Sequence, residues 1–207
     1  MPETTPAAVP APPAFTARRL LYIGTGALNV MFMPTWLNWL RTSYPDLEIR
    51  TVMTRSAERF VTPQAVALFA GHPPERDEWT DELESTAPHV TMAEWADTVI
   101  VHPATFHFTS RFALGAADTP TLLALQCTSA AIGIAPALPP GAVTSFAWAQ
   151  HTTALAQRRN VTVVAPQRGI SVTTGKHDAS PAAPLTEVIA AVEELRARLA
   201  PGHSAEA

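Results

Sequence analysis

Two of the seven histidines, His89 and His107, stand where a proton acceptor and an anion-binding group would be useful. His89 follows Pro88 and precedes a short polar turn, which ends in Trp95-Ala96-Asp97 and feeds the β-branched run Thr98-Val99-Ile100-Val101. Imidazoles titrate close to neutral pH, which suits a general base. His107 lies in Pro103-Ala104-Thr105-Phe106-His107-Phe108, where the run breaks into a loop. An imidazole there can donate a hydrogen bond to a carboxylate. Two further turns offer groups suited to a phosphate. Gly24-Thr25-Gly26 follows one apolar run, and Thr54-Arg55-Ser56-Ala57 follows another. The first is either a backbone cradle at a helix N-terminus or a plain strand-to-helix turn. It lacks the third glycine of the dinucleotide fingerprint and the Gly-Lys-Ser/Thr of a P-loop. Ser56 is equally suited to capping the helix that follows.

These groups can meet only if the elements behind them bring the turns together. Leu20–Ile23, Ile49–Met53, Thr98–His102, Ile132–Ala135 and Val161–Ala165 are short apolar runs that read as strands. Between them lie helical stretches: one through Phe32, Trp36, Trp39 and Leu40, one through Phe60, Val66, Leu68 and Phe69, and one over Ala147–Arg158. Leu185–Leu199 closes the chain as an amphipathic helix with Val188, Ile189, Val192, Leu195 and Leu199 inward. Strands alternating with helices predict an α/β fold: a single doubly wound, mostly parallel sheet, Rossmann- or flavodoxin-like, flanked by helices. Right-handed crossovers then place the turns after Gly24, Met53, His102 and Ala135 at one sheet edge.

The 207 residues suit one domain, taken as 18–200, between Pro/Ala-rich or small-residue tails at 1–17 and 201–207 that read as disordered. A net charge of −4 gives no reason to expect nucleic acid. No apolar run approaches the roughly 18 residues that span a membrane. No secretory signal pattern opens the chain, so a cytoplasmic protein is expected. The single cysteine, Cys127, rules out an internal disulfide framework and reads as a buried, inert thiol. His102 and His107 lack the companions of a ligand set, so no metal is expected.

The motifs resemble those of the flavin-containing cysteine decarboxylases, the family of the epidermin and mersacidin peptidyl-cysteine decarboxylases and of phosphopantothenoylcysteine decarboxylase. The likeness is strongest over Val52–Pro63 and Ala87–Leu123. It implies a Pro-His pair, Pro88-His89, that supplies the catalytic base. It also implies a flavin held by Gly24, Thr25, Gly26, Thr54, Ser56, Ala57, Phe60, Pro103, Ala104 and Thr105, with Thr128 against the ring. FMN is implied, with FAD the alternative. His107 stands where the family places an asparagine that engages the substrate carboxyl end. Pro136 and Leu138 fall in the family's substrate clamp, where Pro139 replaces another asparagine. Trp148 is a candidate for the clamp tryptophan. Thr173-Thr174-Gly175-Lys176 stands near the reducing cysteine of the coenzyme A enzymes.

What the resemblance implies is oxidative decarboxylation of a cysteine carboxyl group by bound flavin, with loss of CO2 and formation of an enethiol. The missing late cysteine and the altered clamp favour a precursor peptide with a C-terminal cysteine, destined for an aminovinyl-cysteine ring, over phosphopantothenoylcysteine. A homo-oligomer, trimeric or dodecameric, with the site between subunits is also implied. Two other classes remain open: a flavin-binding relative that does not decarboxylate, and an NADP-dependent oxidoreductase using Gly24-Thr25-Gly26 and Arg55.

Overall fold

The computed structural model describes residues 11–80 and 85–200. Six strands form one parallel sheet: β1 (Arg19–Gly24), β2 (Glu48–Met53), β3 (Glu75–Arg76), β4 (Thr98–Thr105), β5 (Ala131–Ala137) and β6 (Val161–Val163). Their order is β3-β2-β1-β4-β5-β6. Seven α-helices cover it: α1 (Met33–Ser43), α2 (Pro63–Ala70), α3 (Pro88–Trp95), α4 (Phe106–Ala113), α5 (Pro120–Cys127), α6 (Phe146–Ala156) and α7 (Leu185–Leu199). This is the doubly wound arrangement that the alternation predicts.

The central strands are apolar because both faces of the sheet are covered. Successive side chains alternate between two cores. Leu20, Tyr22 and Ile100 point into one, with Met33, Leu37 and Leu40 of α1, Val66 of α2, and Leu185, Val188, Ile189, Val192 and Leu195 of α7. Leu21, Ile23, Val99 and Val101 point into the other, with Met92 of α3, Phe108 and Phe112 of α4, Leu122 and Leu125 of α5, and Leu155 of α6. The α7 helix rests directly on β5 at Gly133, where an added Cβ would lie 2.3 Å from Val192 Cγ2. Any side chain there would lift the helix off the sheet.

Several local expectations are corrected. The polar turn after His89 is helix α3. Pro103-Ala104-Thr105 is not a loop but the end of β4, paired alongside β5 as Ala104–Pro136 and Thr105–Ala137, so Pro136 also lies in a strand. The last strand stops at Val163. Phe32 is half exposed, and α1 instead buries Met33, Leu37 and Leu40. Of the presumed tail, Phe15 packs edge-on against Tyr44, Thr16 bonds Glu193, and Ala17 is buried, so order begins before residue 18. Residues 1–10 and 201–207 of the expected tails lie outside the described residues. Cys127 is exposed. Among the described residues no helix is long and apolar enough to cross a membrane.

Candidate active site

The sheet order reverses direction between β1 and β4, so a crevice opens beyond their carboxyl ends. A threonine hydroxyl fastens its two lips. Thr25, 1% exposed, donates its Oγ1–H to the Pro103 carbonyl at 2.8 Å and accepts the Thr105 N–H at 2.8 Å. The Thr25 N–H also reaches the Pro103 carbonyl, at 3.2 Å. Its hydroxyl is therefore committed to the frame. The β1 and β2 turns meet just as tightly. A Cβ on Gly26 would lie 2.4 Å from Ser56 Oγ, so glycine lets the turns touch. Thr54 and Ser56 share a hydroxyl hydrogen bond at 3.1 Å.

Two cavities flank this frame. The first, about 510 Å3, is lined by Thr25, Thr54, Ser56, Arg59, Asp77 and Arg111, among others. The second, about 420 Å3, lies between Gly26–Asn29, Phe106, Leu138 and the segments Ile170–Thr173 and Ala179–Pro181. Both volumes suit small-molecule sites. Thr105 and His107 line both. Thr105 caps α4, its hydroxyl accepting the Phe108 N–H at 3.1 Å, and exposed His107 occupies the first turn. The positive end of α4 therefore faces the junction of the cavities.

The first cavity carries all the formal charge. Arg55, the cation expected beside the phosphate turn, is held by Glu78 through bonds of 2.5 and 3.1 Å, which lowers the carboxyl pKa. Arg59 has no ion-pair partner among the described residues and is the cation left for an anion. Arg111 pairs with Asp118 at 2.5 Å, and its hydrogen bond, helped by nearby His107, holds that carboxyl below the ordinary range. Among the described residues the second cavity has no Lys, Arg, Asp or Glu in its lining. It is roofed by the segment after β6, held by antiparallel bridges Leu138–Ser180 and Gly169–Ala179. Phe106 forms part of its wall and is backed by Trp148, ring centroids 6.1 Å apart, and by His151 at 5.9 Å.

The structure brings Thr25, Gly26, Thr54, Ser56, Thr105, His107 and Leu138 to the cavity walls. Gly24, Ala57, Pro103, Ala104 and Pro136 are buried and lie behind them as framework, outside both linings. Phe60, 42% exposed, follows the Ser56 turn outside both linings. Thr128 stands apart from both cavities. It precedes β5, at the amino edge of the sheet, and its hydroxyl donates to the Ala93 carbonyl and accepts the Ala130 N–H. It belongs to the opposite end of the sheet from the crevice.

His89 sits in the first turn of α3, whose start lies at the crevice edge, but it lines neither cavity of its own chain. Its Nδ1 is buried and has no hydrogen-bond partner among the described residues. The Trp79 ring stands 5.7 Å away at 72°. Beneath the crevice, His102 is 3% exposed; its Nε2–H donates to the Ala183 carbonyl at 2.9 Å, and Nδ1 accepts the Tyr22 hydroxyl at 3.2 Å. Burial lowers the His102 pKa to about 4 and raises that of Tyr22. Both of its nitrogens are engaged, and among the described residues no group of three or more His, Cys, Asp or Glu could hold a metal.

Asp77, Trp79, Arg59 and Arg111 were not among the residues the sequence assigned to a site. Asp77 accepts the Thr121 N–H at the start of α5, and Trp79 Nε1–H donates to the Asp118 carbonyl. These partners lie 44 and 39 residues away, so no local spacing announces them.

The sequence pattern of the flavoprotein family matches residues 12–197. The cypemycin cysteine dehydrogenase (decarboxylating) of a Streptomyces species is 32% identical over 115 residues, 56% of this chain and 60% of that protein. The coenzyme A biosynthesis bifunctional protein CoaBC of Haemophilus influenzae is 31% identical over 126 residues, 60% of this chain and 31% of that protein. The chain thus spans less than two thirds of these relatives. Among solved structures, the FMN-dependent cysteine decarboxylase SpaF superposes with a TM-score of 0.73 at 26% identity, covering 86% of this chain and 97% of that one. The cypemycin decarboxylase CypD gives 0.73 at 26%, covering 90% and 98%.

Proposed function

The chain belongs to the flavoprotein family, and from that premise we propose that it binds FMN and oxidatively decarboxylates the C-terminal cysteine of a precursor peptide. One observation carries the reading: a charged, hydroxyl-lined cavity and an uncharged one meet at Thr105 and His107.

The residues present fit a flavin phosphate. The Gly26 turn and the Ser56 turn are in contact, as a phosphate held by both requires. Thr54 and Ser56 supply hydroxyls, and Arg59 supplies an unpaired guanidinium. FAD would need further room for its adenylate. Bound flavin would supply a two-electron oxidant; the protein supplies position, proton transfer and a carboxylate pocket.

His107 and the N-terminus of α4 would hold the terminal carboxylate, because both present donors at the junction. The absence of Lys and Arg from the second cavity favours an uncharged peptide segment over a phosphorylated pantothenoyl group. His89 would take the thiol proton. Since it lines no cavity of its own chain, we place it at the cleft of a neighbouring copy, so that the working unit is a homo-oligomer.

Incubation with a synthetic peptide ending in cysteine should release CO2 and leave a product lighter by CO2 plus two hydrogens. His89→Asn should keep the flavin and lose about 10²-fold in turnover. His107→Ala should act mainly on peptide affinity. A protein that takes up neither FMN nor FAD, or a peptide recovered unchanged, removes the proposal. A fully active His89→Asn removes the base assignment alone.

A further inference from the structure

His89 lacks the usual orienting partner. A working imidazole base is ordinarily fixed by a hydrogen bond on its second nitrogen, which sets tautomer and ring angle. Here Nδ1 is buried with no such partner among the described residues. What the ring does have is the indole of Trp79, 5.7 Å away and at 72°, an edge-to-face geometry. The indole is itself held. The Asp77 backbone N–H donates to the Met53 carbonyl at 3.0 Å, prolonging the β2–β3 pairing. The Asp77 carboxylate accepts the Thr121 N–H at 3.1 Å, and Trp79 Nε1–H reaches the Asp118 carbonyl at 3.0 Å. Residues 77–79 are thereby pinned to the turn before α5, and the Asp118 carboxylate in turn pairs with Arg111 on the cavity wall.

Trp79 is nevertheless 48% exposed. An indole kept half in solvent and anchored at its nitrogen is not explained by core packing. We propose that Trp79 is the positioning residue of His89: its ring fixes the imidazole in place of a hydrogen-bond partner and ties it to the Asp118 turn of its own chain, from which His89 serves the neighbouring copy's cleft. The idea rests on the reading of His89 as the base.

Trp79→Ala should lower kcat for CO2 release on the order of 10-fold, as misorientation of a base does, with KM and flavin content unchanged. Trp79→Phe keeps a ring face and should recover most of the rate; Trp79→Leu fills the space without one and should behave like Ala. In a His89→Asn background, Trp79→Ala should cost nothing more, because a residue acting only through His89 has nothing left to act on. A second arm needs no turnover. Carbethoxylation of His89 by diethylpyrocarbonate, followed by peptide mass spectrometry, should quicken several-fold in Trp79→Ala and Trp79→Leu, with His107 as the unchanged internal control.

An equal loss of rate with and without His89 overturns the proposal. So does an unchanged His89 modification rate in both ring-deleted variants. Should the wild type release no CO2, the decarboxylase reading falls, and the modification arm still decides whether Trp79 holds His89. Should Trp79→Ala fail to fold, the Phe and Leu pair carries both arms.

Discussion

Arg55 and Arg59 lie four residues apart beside the same cavity, yet among the described residues Arg55 is paired with Glu78 and Arg59 has no ion-pair partner, which leaves it to meet an anion. Replacing Arg59 with Gln should therefore weaken FMN about 10-fold and leave riboflavin, which has no phosphate, unaffected. Fluorescence titration with both flavins measures this, and equal losses for both would show that Arg59 does not face the phosphate. His102 is the residue with the clearest pH signature. Its folded pKa is about 4 against 6.5 when exposed, so between these values the unfolded chain takes up a proton that the folded one refuses. Stability from this group is complete above about pH 6.5, declines as the pH falls, and is lost below about 4, a change on the order of 3 kcal/mol. Urea unfolding from pH 7 to 4 reads the slope, and His102→Gln should flatten it; an unchanged slope would place the acid sensitivity elsewhere. None of this was visible in the sequence, where His102 was one histidine among seven and its partners, Tyr22 and Ala183, lay about 80 residues away on either side.

At the scale of elements, the contact between the turns after β1 and β2 is the feature most open to test. Gly26→Ala pushes a methyl into Ser56 and must part the turns, a strain typically of 1–3 kcal/mol. The expected result is a folded protein with a lower melting temperature that purifies without flavin. Full flavin content in Gly26→Ala would show that the turns do not share the phosphate. The central strands were legible because both their faces are buried, which leaves short apolar runs in β1, β4 and β5, while β2 keeps only Val52 and Met53 of its buried end as an apolar pair. The edge was not: β3 is Glu75–Arg76, two charged residues with no apolar side chain to mark a strand. Helix α3 was missed for a related reason, since only Met92 of its eight residues is buried and no apolar stripe marks it. Thr128, between α5 and β5, lies at the amino edge of the parallel sheet, a position that its local sequence does not announce.

For the whole molecule, Met31, Phe32, Leu68 and Phe69 lie outside both cavity linings and remain between 41% and 70% exposed. Apolar surface of that kind marks contact with another chain, here proposed to be further copies. Light scattering at micromolar concentration should give a multiple of 22.2 kDa consistent with trimers. A fully active, flavin-loaded monomer would contradict both the assembly and the placing of His89 at a neighbour's cleft. The exposed Cys127 has a separate, practical consequence. It ends α5 at the amino edge of the sheet, while the cleft opens where α5 begins. One maleimide per chain would therefore mark the protein without touching the chemistry. The same thiol is the chain's only point of covalent exchange with a substrate that carries a thiol of its own. In aerated buffer without reductant, dissolved oxygen would take the two electrons and two protons of the paired thiols, peptide would accumulate as a mixed disulfide on the far side of the molecule, and slow turnover would be mistaken for weak binding; Cys127→Ser abolishes that trap.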